Sequence, residues 1–263
     1  MSWNLWWRFG DWQARRRAIL AVLAAAQPDL CGLQEVWADR DANLAEWLAG
    51  ELGMHWAWGP AGEQQGWHDR IGDPSVDFGV AILSRWPIRE PHVAELPDDA
   101  SRPALSALID APHATVPFVT THLSSMPWHS GRRIRQLTWL AEHAATRSVD
   151  AHPPVVTGDF NAMPDSDEIR RFQGVLTEPA YPGLSFIDAW RFADPADPGF
   201  TWDRRNPAVA VGPVPSARID YVHIGLRWHG PGQVRSVRLA GTEPVDGVWP
   251  SDHAAVVADL SEA

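Results

Sequence analysis

Residues 154–161 read PVVTGDFN, a short apolar strand followed at once by an acid and an amide. Alternate side chains of an extended chain share a face, so Asp159 and Asn161 point one way while Phe160 points into the core. A carboxylate beside an amide is suited to orienting a water and taking its proton. Asp and Asn also favour turns, and a turn leading into Pro164 is the alternative for this segment taken alone.

Similar polar signals stand at five other predicted strand ends. In the run RIDYV at 218–222, Asp220 alternates with apolar residues. An acid inside a strand is disfavoured, and when buried it needs a partner such as histidine. The alternative is a half-exposed strand with Asp220 in solvent. The other ends carry Asn4, Glu35, His122 and the pair Asp252 and His253. A lone strand-end histidine is usually structural, but six such signals together indicate one functional site.

The order of apolar segments indicates an α/β fold. A strand at 2–6, a helix at 11–27 and a strand at 30–34 form a start that resembles a βαβ unit. Arginines 15–17 of that helix are expected on a solvated face. Residues 60–76 are polar and contain glycines, so we expect a surface loop there. Further strands are predicted at 55–58, 78–83, 104–109, 116–122, 155–157, 218–224, 234–239 and 254–259, and further helices at 44–52, 131–145 and 168–172. Mixed strands with several covering helices predict an α/β sandwich.

Taken in chain order, the motifs resemble the signatures of the endonuclease/exonuclease/phosphatase superfamily, which has the deoxyribonuclease I-like fold. The resemblance is carried by SWN (2–4), LQE (33–35), GVAILSR (79–85), THL (121–123), GDFN (158–161), RIDY (218–221) and SDH (251–253). It spans nearly the whole chain. It implies a four-layer α/β/β/α sandwich of two mixed sheets, with the site at one end.

The resemblance implies a metal and a water-activating group. Glu35 would bind Mg²⁺ or Mn²⁺, with Asp252 as a direct or water-mediated ligand. Asn4 would support the metal or a phosphate oxygen. Asp159, held by Asn161, would position or activate the attacking water. The general base is left open between these groups. Such a set suits phosphoryl transfer, which depends on positioning and charge stabilisation and is served by a hard cation with oxygen ligands.

The resemblance also implies groups that contact the phosphate. His253 would donate to the phosphoryl oxygens, and Asp220 would orient its imidazole. His122 would be a second phosphate-facing donor, and Arg133 a substrate-binding residue. The THL motif and Arg133 are closer to the sphingomyelinase-like and general phosphatase branches than to the abasic-site endonucleases. In those branches an acid can pair with the THL histidine, and Asp77 is placed to do so here. The alternative is that Asp77 is a loop residue without such a role.

Composition narrows the class of protein further. The formal net charge is −11, and the only dense basic runs are at 15–17 and 132–135, which counts against tight binding of duplex nucleic acid. Cys31 is the only cysteine, which excludes an intramolecular disulfide and a thiolate zinc cluster. No apolar run approaches the ~20 residues of a membrane helix. No secretory signal is visible, so a cytoplasmic location is expected, with a removed leader as the alternative.

These observations predict one domain over residues 1–263 and leave the oligomeric state open. The leading functional hypothesis is a metal-dependent phosphodiesterase or phosphomonoesterase that acts on a small or lipid-like phosphoester. The 16 tryptophans fit this hypothesis if some of them line the mouth of the pocket. A nuclease is the second hypothesis, which the charge disfavours. A non-catalytic binding scaffold is the third, and the intact set of site residues argues against it.

Overall fold

Two six-stranded sheets form the centre of the protein. The computed structural model describes residues 1–147, 149 and 151–262. Sheet A has the order β11-β12-β1-β2-β4-β3, and sheet B has the order β5-β6-β7-β8-β10-β9. The strands of sheet A are β1 Ser2–Asn4, β2 Leu30–Ala38, β3 His55–Pro60, β4 Asp77–Ser84, β11 Val234–Ala240 and β12 Ala255–Leu260. Those of sheet B are β5 Ile88–Leu96, β6 Asp99–Asp110, β7 Thr115–His122, β8 Val155–Asp159, β9 Phe186–Asp188 and β10 Asp220–Gly225. Each sheet contains one parallel pair, β1 with β2 and β7 with β8, so both are mixed as predicted.

Six helices pack around the two sheets in the described part of the chain. They are α1 Trp12–Ala26, α2 Leu44–Leu52, α3 Gln65–Ile71, α4 Ser130–Thr146, α5 Asp167–Gln173 and α6 Pro207–Ala210, with 3₁₀ turns at Pro127–His129 and Ala189–Phe192. Apolar residues of α1 and α2 pack on sheet A, and those of α4 and α5 pack on sheet B. A third apolar cluster fills the space between the sheets. The layers therefore follow the predicted α/β/β/α order. Among the described residues, no helix combines the length and apolarity needed to cross a membrane.

The two sheets are in close contact at Gly32 of β2. A Cβ atom added there would overlap Thr157 Oγ1 of β8 and lie 2.7 Å from Thr120 Oγ1 of β7. Only glycine permits this approach. Across the same contact, Gln34 Nε2 donates to Thr120 Oγ1 at 2.9 Å. All three strands lead from this contact into the functional site a few residues later, so the contact sets the separation of the groups on the two sheets.

The structure corrects three local predictions. Residues 60–76 are not only a loop, because they contain α3, whose Trp67 is buried at 3% exposure. Strand β5 was not predicted because it is a largely exposed strand of mixed polarity, and β9 has only three residues. Strand β10 begins at Asp220 instead of residue 218, because the backbone N–H of Ile219 donates to the side chain of Thr201.

Arg15 is also placed differently from the prediction. It is 3% exposed, and its guanidinium donates to the backbone carbonyls of Leu5, Trp6, Trp7, Phe9 and Pro250. A buried guanidinium with this many acceptors ties loops together, so Arg15 does not lie on a solvated helix face. Burial lowers the pKa of Arg15 to about 10, against the opposing charges of Asp252 and Glu35.

Candidate active site

The predicted polar strand ends meet at one end of the sandwich. In sheet B, His122 of β7 and Asp220 of β10 are both in register with Asp159 of β8, one on each side. In sheet A, Asn4 ends β1, and the segment that carries Asp252 and His253 leads into β12 beside it. The side chains of Asn4, His122, Asp159, Asp220 and His253 are all less than 5% exposed.

Asp159 stands at the centre of this cluster. Its Oδ1 accepts from the backbone N–H of Asn161 at 2.9 Å, and its Oδ2 accepts from Asn4 Nδ2 at 3.0 Å. The side chain of Asn161 donates to the carbonyl of Leu123, so Asn161 holds Asp159 through its backbone. Burial and the neighbouring charge of Asp220 raise the pKa of Asp159 to about 7.

His253 links two of the carboxylates. Its Nδ1 lies 2.8 Å from Asp220 Oδ2, and its Nε2 lies 3.8 Å from Asp159 Oδ2. Burial by itself would lower the pKa of His253, but the charges of Asp220, Asp252 and Asp159 outweigh it and raise the pKa well above its usual value. The imidazole is therefore held as a cation. The ligand atoms of Asp159, Asp220 and His253 all lie within 4.8 Å of one another.

Glu35 enters the site through a bulge in β2. Leu33 pairs with Ala81 and Val36 with Gly79, so two residues of β2 oppose one of β4, and Glu35 adopts φ +52°. Bulges of this kind re-aim a side chain next to a functional site. The Oε2 atom of Glu35 is buried and has no hydrogen-bond partner among the described residues. An unpartnered buried carboxylate oxygen is costly unless a ligand or ion completes it.

Asp252 and Asn4 complete the acidic side of the site. Burial raises the pKa of Asp252 to about 7, with Glu35 adding to the shift. Burial likewise raises the pKa of Glu35, while the nearby charges of His253 and Arg102 act in the opposite direction. The Oδ1 atom of Asn4 accepts from the backbone N–H of Trp6 at 2.9 Å. Asn4 therefore connects β1 of sheet A to Asp159 of sheet B.

A comparison with protein families matches residues 1–253 to the Endonuclease/Exonuclease/phosphatase family. The chain belongs to this family. Its members are in general phosphoester hydrolases, and enzymes of this fold typically use divalent metal ions. A comparison with curated protein sequences gave no match.

Solved structures of the endonuclease/exonuclease/phosphatase fold align with nearly the whole chain. TDP2 from D. rerio, complexed with a single strand DNA product, is 19% identical with a TM-score of 0.77 over 99% of this chain and 97% of that one. Truncated TDP2 from Caenorhabditis elegans is 20% identical with a TM-score of 0.74 over 99% and 95%. The human Nocturnin catalytic domain with bound sulfate is 21% identical with a TM-score of 0.75 over 98% and 92%. At these identities the likeness establishes the fold.

Arg102 is a residue of this endonuclease/exonuclease/phosphatase site that sequence reasoning missed. It lies on β6, is 4% exposed, and places Nη1 2.7 Å from His122 Nε2 and Nη2 3.1 Å from Ser125 Oγ. Arginine only donates, so His122 Nε2 accepts this bond and the imidazole is neutral. Burial and the charge of Arg102 lower the pKa of His122 well below its usual value. His122 Nε2 is also 3.4 Å from Asp159 Oδ2.

Two predicted contacts are formed differently in this family member. Arg133 is 4% exposed, donates from Nε to Glu168 at 2.8 Å, and donates from its other nitrogens to the carbonyls of Ser124, Met126 and Pro127. All three guanidinium nitrogens of Arg133 therefore donate within the protein and hold the loop after β7. This arrangement corrects the prediction that Arg133 binds substrate. The Asp77 carboxylate lies 4.0 Å from His68, and His122 Nδ1 has no partner among the described residues, so the Asp77–His122 pair is absent from that part of the chain.

Proposed function

We propose that this chain is a divalent-metal-dependent phosphoester hydrolase acting on a small phosphoester. The observation that carries the proposal is the buried chain Asp220–His253–Asp159 beside Glu35, whose Oε2 atom has no partner in the described structure. A charged imidazole held by a carboxylate suits a phosphoryl group that gains negative charge as it reacts. An unmatched carboxylate next to it suits a hard cation with oxygen ligands.

Glu35 and Asp252 would hold the metal, with Asn4 in support. The donor set fits Mg²⁺ or Mn²⁺, because it consists of carboxylate and amide oxygens. The raised pKa values of Glu35 and Asp252 support this assignment. They arise from burial and from a neighbouring carboxylate, Asp159 for Glu35 and Glu35 for Asp252, and a cation would relieve this repulsion. When bound, the ion supplies charge stabilisation to the phosphate oxygens.

The protein side chains divide the remaining work between water and phosphate. Asp159 would orient the attacking water and accept its proton, with Asn161 and Asn4 fixing the carboxylate. His253 would donate from Nε2 to a phosphoryl oxygen, because Asp220 occupies Nδ1 and keeps the ring charged. We assign Arg102 as a second cationic donor to the phosphate. His122 then acts as a positioning residue for Arg102, in place of the donor role implied by the family resemblance.

The proposed substrate is small because the chain lacks the charge for a long polyanion. The formal net charge is −11, whereas neutralising phosphates supplies much of the affinity for duplex DNA. Near the reacting groups, the ring of Trp202 packs edge-on against His253 with centroids 4.9 Å apart. Trp128, on the 3₁₀ turn after β7, is 77% exposed. Such aromatic groups suit stacking on a compact aromatic, sugar or cationic leaving group.

The test begins with removal of metal. Activity on aryl monophosphates and bis-aryl phosphates should vanish after exhaustive chelation and return with Mg²⁺ or Mn²⁺. Glu35→Gln should raise the metal concentration for half-maximal activity by about tenfold or more, because it removes a charged ligand and keeps the shape. The matched control is Glu90→Gln, since Glu90 also has a positive φ, at +50°, but is exposed. Full activity after chelation would overturn the proposal.

A nuclease is the second candidate, because one structural relative was solved with a DNA product. A panel at equal metal concentration separates the two functions. It should contain plasmid DNA, single-stranded DNA, an abasic-site duplex, aryl phosphates, sugar phosphates and phospholipids. We expect a small phosphoester to give the highest kcat/KM. If duplex DNA is the best substrate and its cleavage falls steeply with added salt, the nuclease hypothesis replaces the small-substrate proposal.

A further inference from the structure

Trp67 on α3 forms an aromatic platform beside the site. One face of its ring is covered by Phe78, with centroids 3.5 Å apart and planes 7° from parallel. Trp7 packs edge-on against the same ring at 5.7 Å. The guanidinium carbons of Arg70 and Arg102 both lie over Trp67, at 4.6 and 5.0 Å from the ring centroid. Since Phe78 occupies one face, the two guanidinium groups share the other.

The two arginines differ in what balances their charge. Arg102 is buried, contacts His122 and Ser125, and lies in the field of Glu35, Asp99 and Asp159. Its Nε atom is buried and has no partner among the described residues.

Arg70 is exposed, and no carboxylate of the described residues comes within ion-pair distance of it. The acids nearest in sequence are engaged elsewhere, because Asp69 accepts from Gln65 and Asp73 accepts from Ser75. One positive charge on this aromatic face is therefore unmatched.

We infer that Arg70 and Arg102 form an anion subsite over Trp67, which binds a second anionic group of the substrate. Two guanidinium groups on one ring face repel each other, and an anion between them converts that repulsion into two charge-assisted hydrogen bonds. Because Arg102 is also the donor assigned above to the scissile phosphate, the second anion would lie next to that phosphate, on the side of Arg102 that faces Arg70. The inference rests on the proposed function and narrows its substrate to a phosphoester that carries a second phosphate or a carboxylate.

The subsite gives a role to Arg70, an exposed cation in a strongly acidic protein. In a chain of net charge −11, an anion is repelled from most of the surface. A compact dianion gains from a paired guanidinium site without needing the long basic groove that a polymer requires. Selectivity for a bis-anionic small molecule over duplex DNA follows from the same arrangement.

Binding and turnover give separate tests. By calorimetry, propane-1,3-bisphosphonate, which is not hydrolysed, should bind at least about tenfold more tightly than propylphosphonate. In turnover, kcat/KM for 1,3-propanediol bisphosphate should exceed that for the monophosphate by a similar ratio. A third substrate, 3-(phosphonooxy)propanoate, carries a carboxylate as its second anionic group. If its kcat/KM is as high as that of the bisphosphate, the subsite accepts either anion; if it is as low as that of the monophosphate, the subsite requires a phosphate.

Arg70→Gln should lower both ratios to near one. Arg235→Gln is the matched control, because Arg235 is exposed on β11 and removes the same charge away from Trp67. If the ratios are the same in the wild type and in Arg70→Gln, or fall equally in both variants, the subsite inference is wrong. If no phosphoester is hydrolysed but the bisphosphonate preference depends on Arg70, the subsite stands and the hydrolase proposal fails.

Discussion

The site contains two buried histidines whose neighbours have opposite charge. His253 is held by Asp220 at 2.8 Å and flanked by further carboxylates, which raise its pKa well above the usual value. His122 accepts from Arg102 at 2.7 Å, and burial together with that cation lowers its pKa well below the usual value. Both rings are less than 5% exposed, so burial alone does not distinguish them.

The difference shows that the partner, and not the residue type, assigns the role. A histidine beside carboxylates is held as a cation, the form that the proposed phosphate donor requires. A histidine beside a guanidinium is a neutral acceptor that fixes the guanidinium in place. The sequence does not distinguish the two residues, since each is a histidine next to a terminus of an apolar strand. His122 ends β7, and His253 comes just before β12. The predictions below separate the two roles.

The largest effect is expected at the charged histidine. His253→Ala should reduce kcat by about 10³-fold, within the range of a lost general acid or base and oxyanion donor. Asp220→Ala should reduce kcat by orders of magnitude, because the imidazole loses the group that orients and charges it. Since they act as a unit, the double variant should be little worse than His253→Ala. Steady-state kinetics with an aryl phosphate measure all three.

Multiplicative losses in that double variant would contradict the pairing and give Asp220 an independent role. Circular dichroism is the control for folding, because Asp220 Oδ1 is buried without a partner among the described residues and the substitution changes a buried charge.

Smaller effects are expected at the neutral histidine, His122, and at the arginine that donates to it, Arg102. Arg102→Gln should lower kcat/KM by about 10²-fold, the size of a lost transition-state donor. His122→Gln should cost only about tenfold, because it removes a positioning contact. The combined variant should match Arg102→Gln alone, as expected for residues in one network. A His122→Gln loss as large as that of His253→Ala would show that His122 contacts the phosphate itself.

The smallest effect on catalysis, but a measurable effect on stability, is expected at a third histidine. His223 of β10 is fully buried among Phe160, Phe172 and Tyr221, and burial lowers its pKa to about 4. In the unfolded chain it takes up a proton below about pH 6.5. The contribution of neutral His223 to the free energy of unfolding is therefore fully present above pH 6.5. It is lost as the pH falls from 6.5 to 4, by about 3 kcal/mol.

His223→Phe should flatten the pH dependence of the unfolding free energy over that interval, as measured by urea titrations at several pH values. His55→Gln is the control, because His55 is exposed. An unchanged slope in His223→Phe would mean that His223 does not remain neutral in the folded protein.

Much of the site was predictable because its residues follow the alternation of strands. Asp159, Asp220 and His253 end or begin apolar strands, and the structure brings their side chains within hydrogen-bonding or ion-pair distance. The layered fold and its mixed sheets were also predictable, since the motif order specified the family. The assignment of catalytic roles and the single domain over 1–263 stay predictions.

The missed features depend on contacts between distant segments. Arg102 lies inside β6 and not at a strand end, and its partner His122 comes from the next strand. Arg15 looked like a surface residue because helix amphipathicity does not register the carbonyls of the preceding loop and of Pro250. Helix α3 was missed because a single buried aromatic, Trp67, anchors a short polar helix.

The close contact at Gly32 determines when the site is assembled during folding. Neither sheet carries a complete set of reacting groups, since Glu35 belongs to sheet A and Asp159 to sheet B. If the proposed function is correct, hydrolytic activity would require the two sheets to be docked and would be lost when they separate. In refolding experiments, the recovery of the proposed activity would then report the docking of the two sheets.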